Sequence, residues 1–187
     1  MNLYKKYPTN KWIICNKLGK GNYGTVYSVI YKNKQYALKK QLKKSLYHRE
    51  IKFLRKLSNS GFTPLIYDFW KDNKYYYFVM DILENDTTMS RREIYNKLSQ
   101  ILNYLHTKKI VFFDLHHGNV LFKGRKVYLI DFALAHFFRN PNTIIKNCYG
   151  TFNLQSGQYI DNIFLDYYWG TKKQSKKASK ILDCMLP

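Results

Sequence analysis

The stretch FFDLHHGNVLF (112–122) sets a carboxylate, two imidazoles and a carboxamide close together: Asp114, His116, His117 and Asn119. Apolar and aromatic residues flank them on both sides, the pattern of buried β-structure, where a carboxylate without a partner is expensive. A second carboxylate, Asp131, follows in LIDFALA, seventeen residues beyond Asp114. Nearer the amino terminus, GKGNYGTV (19–26) fits G-x-G-x-x-G-x-V. Glycines let a backbone approach phosphate oxygens and present N–H donors to them. Alone, the triplet also fits a flexible hairpin turn. A strand follows it, not a helix, which disfavours a dinucleotide fold and favours a flap over phosphates. Fifteen residues beyond Gly24, YALK ends in Lys39, and HREIKFLRKL then supplies Glu50, the only acidic residue before Asp68. One carboxylate in so basic a stretch needs a partner, and a lysine on an adjacent strand is the obvious one.

These residues need elements to carry them. Branched and aromatic runs predict strands over 11–18, 25–32 and 35–40, with a turn at KNK (32–34). From Ser45 the period changes: Tyr47, Ile51, Leu54 and Leu57 recur at helical spacing among basic residues. SNSGFTP (58–64) ends that helix, and strands follow at 65–70 and 75–83. Polar ENDTTMS (84–90) reads as a linker. Ser90, with Glu93 three residues on, predicts a capping box for a helix with the stripe Ile94, Leu98, Ile101, Leu102 and Leu105. NVLF and KVYLI predict two short strands around the turn KGRK. Beyond them, residues 136–158 read as loop, 159–169 as helix, and 170–187 as a basic tail. Strands plus one helix, a linker, then mainly helices: the order predicts an α+β chain in two lobes of different class.

The composition suits that plan. Of 187 residues, 45% are hydrophobic and 18% aromatic, enough for a packed core and against disorder. Lys and Arg outnumber Asp and Glu by 32 to 12, a net +20 that favours polyanionic partners without choosing among them. Cys15, Cys148 and Cys184 are scattered, with no metal-site or disulfide pattern. No signal-like or membrane-length apolar run occurs, so the expectation is a soluble, intracellular, cytoplasmic protein without membrane insertion.

Over residues 15–135 the motifs resemble those of protein kinases. The resemblance implies that Gly19, Gly21 and Gly24 belong to a loop covering ATP, with Leu18, Lys20, Asn22 and Tyr23 on the same loop. It implies that Lys39 holds the α- and β-phosphates and that Glu50 fixes Lys39 by an ion pair. Val26 and Ala37 would roof the adenine. FVMDIL (78–83) resembles the hinge, with Met80 as gatekeeper and Asp81 to Leu83 offering backbone hydrogen bonds, and Leu121 is counted among the ATP-binding residues. FFDLHHGN aligns with H-R-D-L-x-x-x-N without a gap. Asp114 would then orient the acceptor hydroxyl and take its proton, and Asn119 and Asp131 would ligate Mg²⁺. The implied division is a single kinase domain over 1–187: amino-terminal lobe 1–80, hinge 81–83, reduced carboxy-terminal lobe 84–187.

Several positions depart from the family. Phe112 replaces the motif His and is expected to pack on Phe132 and Leu54. Phe113 replaces the Arg that in many kinases answers a phosphorylated activation loop. Ala133 replaces the Gly of D-F-G. DLHHGN is closer to the loop of aminoglycoside and choline phosphotransferases and of some atypical kinases, with His116 donating to phosphate or capping the loop. There is no A-P-E segment; YGTFNLQ (149–155) is similar only to the start of a substrate-docking loop. YIDNIFLDYYW is expected to be the helix beneath the catalytic loop, with Asp161 bonding to it. The lysines at 172, 173, 176, 177 and 180 form either a solvated helix face or a docking strip for acidic protein or nucleic acid. Abundant Lys, Asn, Tyr and Ile suit an AT-rich genome such as that of a large DNA virus.

The expected activity is Mg²⁺- and ATP-dependent transfer of the γ-phosphate to Ser or Thr of a protein, an acidic one being favoured by charge. Two alternatives stay open on sequence: an atypical or small-molecule phosphotransferase, and a non-catalytic pseudokinase or polyanion-binding module.

Overall fold

Alternating branched and aromatic residues make a five-stranded antiparallel sheet from β1 (Ile13–Lys20), β2 (Gly24–Tyr31), β3 (Lys34–Gln41), β4 (Ile66–Lys71) and β5 (Tyr76–Asp81), in the order β1-β2-β3-β5-β4. The computed structural model describes residues 11–21 and 24–185, with side chains as far as Asp183. It divides after Glu84 into two compact units.

In the first unit, the β2–β3 hairpin turns on Lys32 and Asn33, both left-handed (φ 48° and 59°), the backbone that a two-residue hairpin loop requires and that Asn tolerates. One sheet face buries Val29, Leu38, Trp70, Tyr77 and Val79, with Trp70 and Tyr77 stacked at 5.3 Å. Helix α1 (Lys44–Lys56) buries Tyr47, Ile51 and Leu54 as its periodicity predicts, and the Tyr47 hydroxyl donates to the Tyr77 carbonyl at 3.3 Å. Strand β1 is an edge, and Ile13 and Ile14 lie exposed on it.

The second unit begins with α2 (Arg91–Thr107), whose five-residue apolar stripe is buried as expected. Its capping box is formed: the Glu93 N–H donates to Ser90 Oγ and the Ser90 N–H to Glu93 Oε2. There follow β6 (Ile110–Val111), a hairpin of β7 (Val120–Lys123) and β8 (Lys126–Leu129), then β9 (His136–Phe137), β10 (Ile145–Asn147), β11 (Gly150–Phe152), α3 (Leu154–Trp169) and α4 (Lys172–Met185).

Residues 136–158, expected to be loop, thus contain three short strands and the first turn of α3. Strands of two or three residues are too short to show a period. The early start of α3 follows from Asn153 and Ser156, whose side chains each accept the other's backbone N–H. The basic tail is a helix entered through the same device, with the Thr171 N–H donating to Gln174 Oε1 and the Gln174 N–H to Thr171 Oγ1. Ala178 and Leu182 bury its inner face, and all five lysines are exposed. Among the described residues no helix is long and apolar enough to cross a membrane.

Candidate active site

In the first unit, strand register builds the charged centre. Lys39 on β3 donates to both carboxylate oxygens of Glu50 on α1, at 2.7 and 2.9 Å, and Gln41 Nε2 also donates to Glu50. Both charges are buried, 6% and 1% exposed, so neither tolerates loss of the other. Val26 pairs with Lys39 across the sheet, and Ala37 with Met80. The N–H of Asp81 donates to the Leu65 carbonyl, while its carboxylate accepts from the Leu65 N–H and the Tyr67 hydroxyl. Those groups of Asp81 are thereby engaged inside the unit, and Leu83 lies half-buried just beyond the strand.

The three motif glycines serve different ends. A Cβ on Gly24 would stand 2.4 Å from the Lys40 carbonyl oxygen, so this glycine is required by the β2–β3 contact. Gly19 and Gly21 have open space where a Cβ would sit, the condition for a ligand to approach the backbone. Leu18 and Lys20 beside them are exposed. Asn22 and Tyr23, which the resemblance places on the same loop, lie outside the described residues.

In the second unit, the loop carrying Asp114 is held from beneath. The buried Asp161 of α3 accepts from the backbone N–H of Phe112 (2.9 Å) and of Phe113 (2.7 Å), and His106 Nε2 lies 3.0 Å from it. Phe113 is left-handed (φ 65°), as is Asp131 (φ 60°). Asp tolerates that backbone, but a bulky side chain such as that of Phe113 adopts it only where surroundings force it. Here the force is the Asp161 carboxylate together with packing of Phe113 on Phe152. Gly157 lets α3 come this close, since a Cβ there would lie 2.9 Å from the Phe113 ring. Phe112 stacks edge-on against Phe132 at 5.0 Å, as expected. Ala133 has no positive φ, so nothing at that position requires the missing glycine.

Asp114 is half-buried and closely bonded. Its Oδ2 accepts from Asn119 Nδ2 at 2.9 Å, and its Oδ1 accepts from the Tyr149 hydroxyl at 2.8 Å. Burial pushes the carboxyl above the ordinary carboxylate range. The Tyr149, His116 and Asn119 contacts pull against that, and the charge of nearby Asp131 adds to it. His116 Nδ1 accepts from the Gly118 N–H, capping the turn, and its Nε2 lies 3.7 Å from Asp114. His117 packs on Trp169 at 4.4 Å. Leu121 on β7 is half-buried opposite Tyr128. The Ile130 N–H donates to the Asn119 carbonyl at 3.0 Å, tying the Asp114 loop to the Asp131 segment.

The donor set suits a hard cation. Asn119 Nδ2 is committed to the carbonyl and carboxylate of Asp114, which leaves the amide oxygen as the atom of this side chain that could ligate a cation. Asp131 adds a carboxylate close enough to raise the Asp114 pKa, a repulsion that a cation would relieve. Among the described residues no three His, Cys, Asp or Glu groups form a metal cluster. Mg²⁺ seldom needs one, since it takes one or two carboxylates and completes its shell with phosphate and water.

Beside Asp114 lies a cavity of about 270 Å³, walled by His116, Tyr149, Phe164 and Tyr168 and, from α4, Leu182 and Asp183. Sequence reasoning missed Tyr149, whose contact spans 35 residues and carries no periodic signal. It also missed Gly157, although a glycine inside a helical stretch is itself a sign of close packing.

A glycine-bearing sheet with a buried Lys–Glu pair, and a helical unit with an Asp–Asn loop tied to a second Asp, are the parts of a protein kinase. The profile of the family described as protein kinase domain matches residues 12–162, and the chain belongs to that family. A protein of Acanthamoeba polyphaga mimivirus named as a serine/threonine-protein kinase is 31% identical over 156 residues, 73% of this chain and 28% of its own length. One from fowlpox virus, named likewise, is 30% identical over 164 residues, 67% of this chain and 53% of its own. Calcium-dependent protein kinase 4 of Plasmodium berghei is 30% identical over 149 residues, 65% of this chain and 28% of its own. The chain therefore spans about a quarter to a half of these relatives.

Proposed function

We propose that this chain is a serine/threonine-protein kinase that transfers the γ-phosphate of Mg-ATP to a hydroxyl of a protein. Residues 1–187 form one kinase domain, with lobes at 1–80 and 84–187 and a hinge at 81–83. The observation that carries the reading is the bonding of Asp114: half-buried, oriented by Asn119, and already accepting a hydroxyl hydrogen bond from Tyr149. That is the geometry a base needs to orient an acceptor hydroxyl.

In the first unit, Lys39, fixed by Glu50, binds the α- and β-phosphates, and the N–H groups around Gly19 and Gly21 approach them. Val26, Ala37, Met80 and the backbone near Leu83 hold the adenine. In the second unit, Asn119 and Asp131 hold Mg²⁺, which when bound neutralises charge on the phosphates. Asp114 positions the acceptor hydroxyl and receives its proton, and His116 Nε2 remains placed to donate to phosphate. Catalysis is mostly positioning, since the phosphoryl transition state is loose.

The names of the relatives, each a protein kinase, support a protein acceptor over a small-molecule one. The five exposed lysines of α4 favour an acidic substrate protein, with nucleic acid as the competing polyanion. The viral relatives and the composition favour an intracellular protein of a large DNA virus.

The test is an acceptor panel under Mg-ATP: acidic and basic proteins, choline and an aminoglycoside, with products identified by mass spectrometry. Phosphoserine or phosphothreonine in a protein is the expected product. Transfer to a small molecule alone would replace this reading with the phosphotransferase one.

A further inference from the structure

Helix α4 reaches the cavity beside Asp114 with its last turns. Ser179, Leu182 and Asp183 line one wall, and Phe164, Tyr167 and Tyr168 of α3 line another. At 3.6 residues per turn, Lys172, Lys176, Ser179 and Asp183 stand at i, i+4, i+7 and i+11 and share one face of the helix. The face that closes the cavity therefore runs on into two lysines. Lys173 and Lys177 lie about 100° further round. All four lysines are exposed, and none has an ion-pair partner among the described residues. The first turn of α4 carries Lys172 and Lys173 and no acidic residue, the reverse of what a helix dipole favours. These charges do not serve the helix itself.

We propose that this face of α4 reads the substrate on one side of the acceptor residue. Asp183 selects against an acidic residue beside the acceptor, and Lys176 and Lys172 select acidic residues further along. The inference rests on the kinase reading above and gives its preference for acidic protein a register. At about 1.5 Å of rise per residue, Lys176 and Lys172 stand roughly 4.5 and 10.5 Å along the axis from Ser179. An extended segment advances about 3.3 Å per residue, so with the reach of a lysine side chain it meets them about two to five residues from the acceptor. A carboxylate beside the acceptor would instead face Asp183 and Asp114 together, and like charges brought together across an interface are costly. A nucleic acid repeats its charge at every unit and would bring a phosphate to Asp183 as well. A protein segment can leave that position neutral, which favours protein as the occupant.

A peptide series under Mg-ATP tests the register: a single Ser acceptor in a neutral segment, with one Glu moved stepwise along either side. Transfer should be fastest with Glu about two to five residues away on one side only, and slowest with Glu adjacent. Lys172→Glu combined with Lys176→Glu should remove that preference, lowering kcat/KM for the acidic peptides by roughly two- to fivefold per lost pair. Lys173→Glu combined with Lys177→Glu changes the net charge equally and should leave the preference in place. Asp183→Lys should make Glu beside the acceptor acceptable. No positional preference, or equal effects of the two double variants, overturns the inference and leaves the kinase reading standing. If no peptide or protein is phosphorylated, the kinase reading fails. Fluorescence anisotropy of a labelled acidic peptide, without nucleotide, then decides the docking face. Binding weakened by the Lys172 and Lys176 changes alone supports it, and equal weakening by both pairs overturns it. Tighter binding of a single-stranded oligonucleotide of the same charge, with the same dependence on Lys172 and Lys176, would assign the face to nucleic acid and overturn the inference.

Discussion

The two units prepare their charged groups by opposite means. In the first, a regular sheet and one helix bring Lys39 and Glu50 together as a buried pair, with ordinary backbone at both residues. In the second, short loops carry the chemistry, and two of their residues, Phe113 and Asp131, hold left-handed backbone, the N–H of Phe113 being held by the Asp161 carboxylate. Regular structure suffices where one charge must meet another. Strained loops are used where several oxygens must share a small space and a substrate must reach them. The first site depends on a pairwise ion contact, the second on a network under Asp161.

Substitutions can sharpen that contrast. The largest loss of folding stability at a single contact should come from Lys39→Met, which removes a buried counter-ion of Glu50 and costs about 3–5 kcal/mol. Chemical denaturation would measure it; a loss below about 1 kcal/mol would mean that the pair behaves as a solvated one. Asp161→Ala should be comparable, at about 1–3 kcal/mol for each of the two buried N–H groups, of Phe112 and Phe113, left unsatisfied. Hydrogen exchange at Phe112 and Phe113 should speed up with it, and unchanged protection there would contradict the network. Gly24→Ala should destabilise by about 1–3 kcal/mol through the contact with the Lys40 carbonyl. Gly21→Ala should leave stability nearly unchanged and weaken nucleotide binding, which calorimetry can separate. Of the substitutions expected to cost stability, Ser90→Ala should cost least, about 1 kcal/mol from the lost cap of α2.

What the sequence revealed follows the same division. The sheet, α1, α2 and the Lys39–Glu50 pair were legible because period, turn residues and a lone acidic residue are local signals. Phe112 on Phe132 and Asp161 beneath the loop were legible only through the family resemblance. The strands between 136 and 152 were not, being too short to show alternation. Nor was Tyr149, which reaches Asp114 through the geometry of a hairpin tip. Helix α4 was visible as a run of lysines, but that its Leu182 and Asp183 wall the cavity beside Asp114 depends on how it packs against α3.

The most direct test of the central claim is phosphate transfer in a single turnover by the native chain and by Asp114→Asn at matched nucleotide occupancy. If Asp114 is the group that orients the acceptor and takes its proton, the variant binds Mg-ATP as the native chain does and transfers about 10²–10⁴-fold more slowly. Equal transfer rates with equal binding would contradict that role, and the Asp114 loop would then be a structural feature of a kinase fold used for something else.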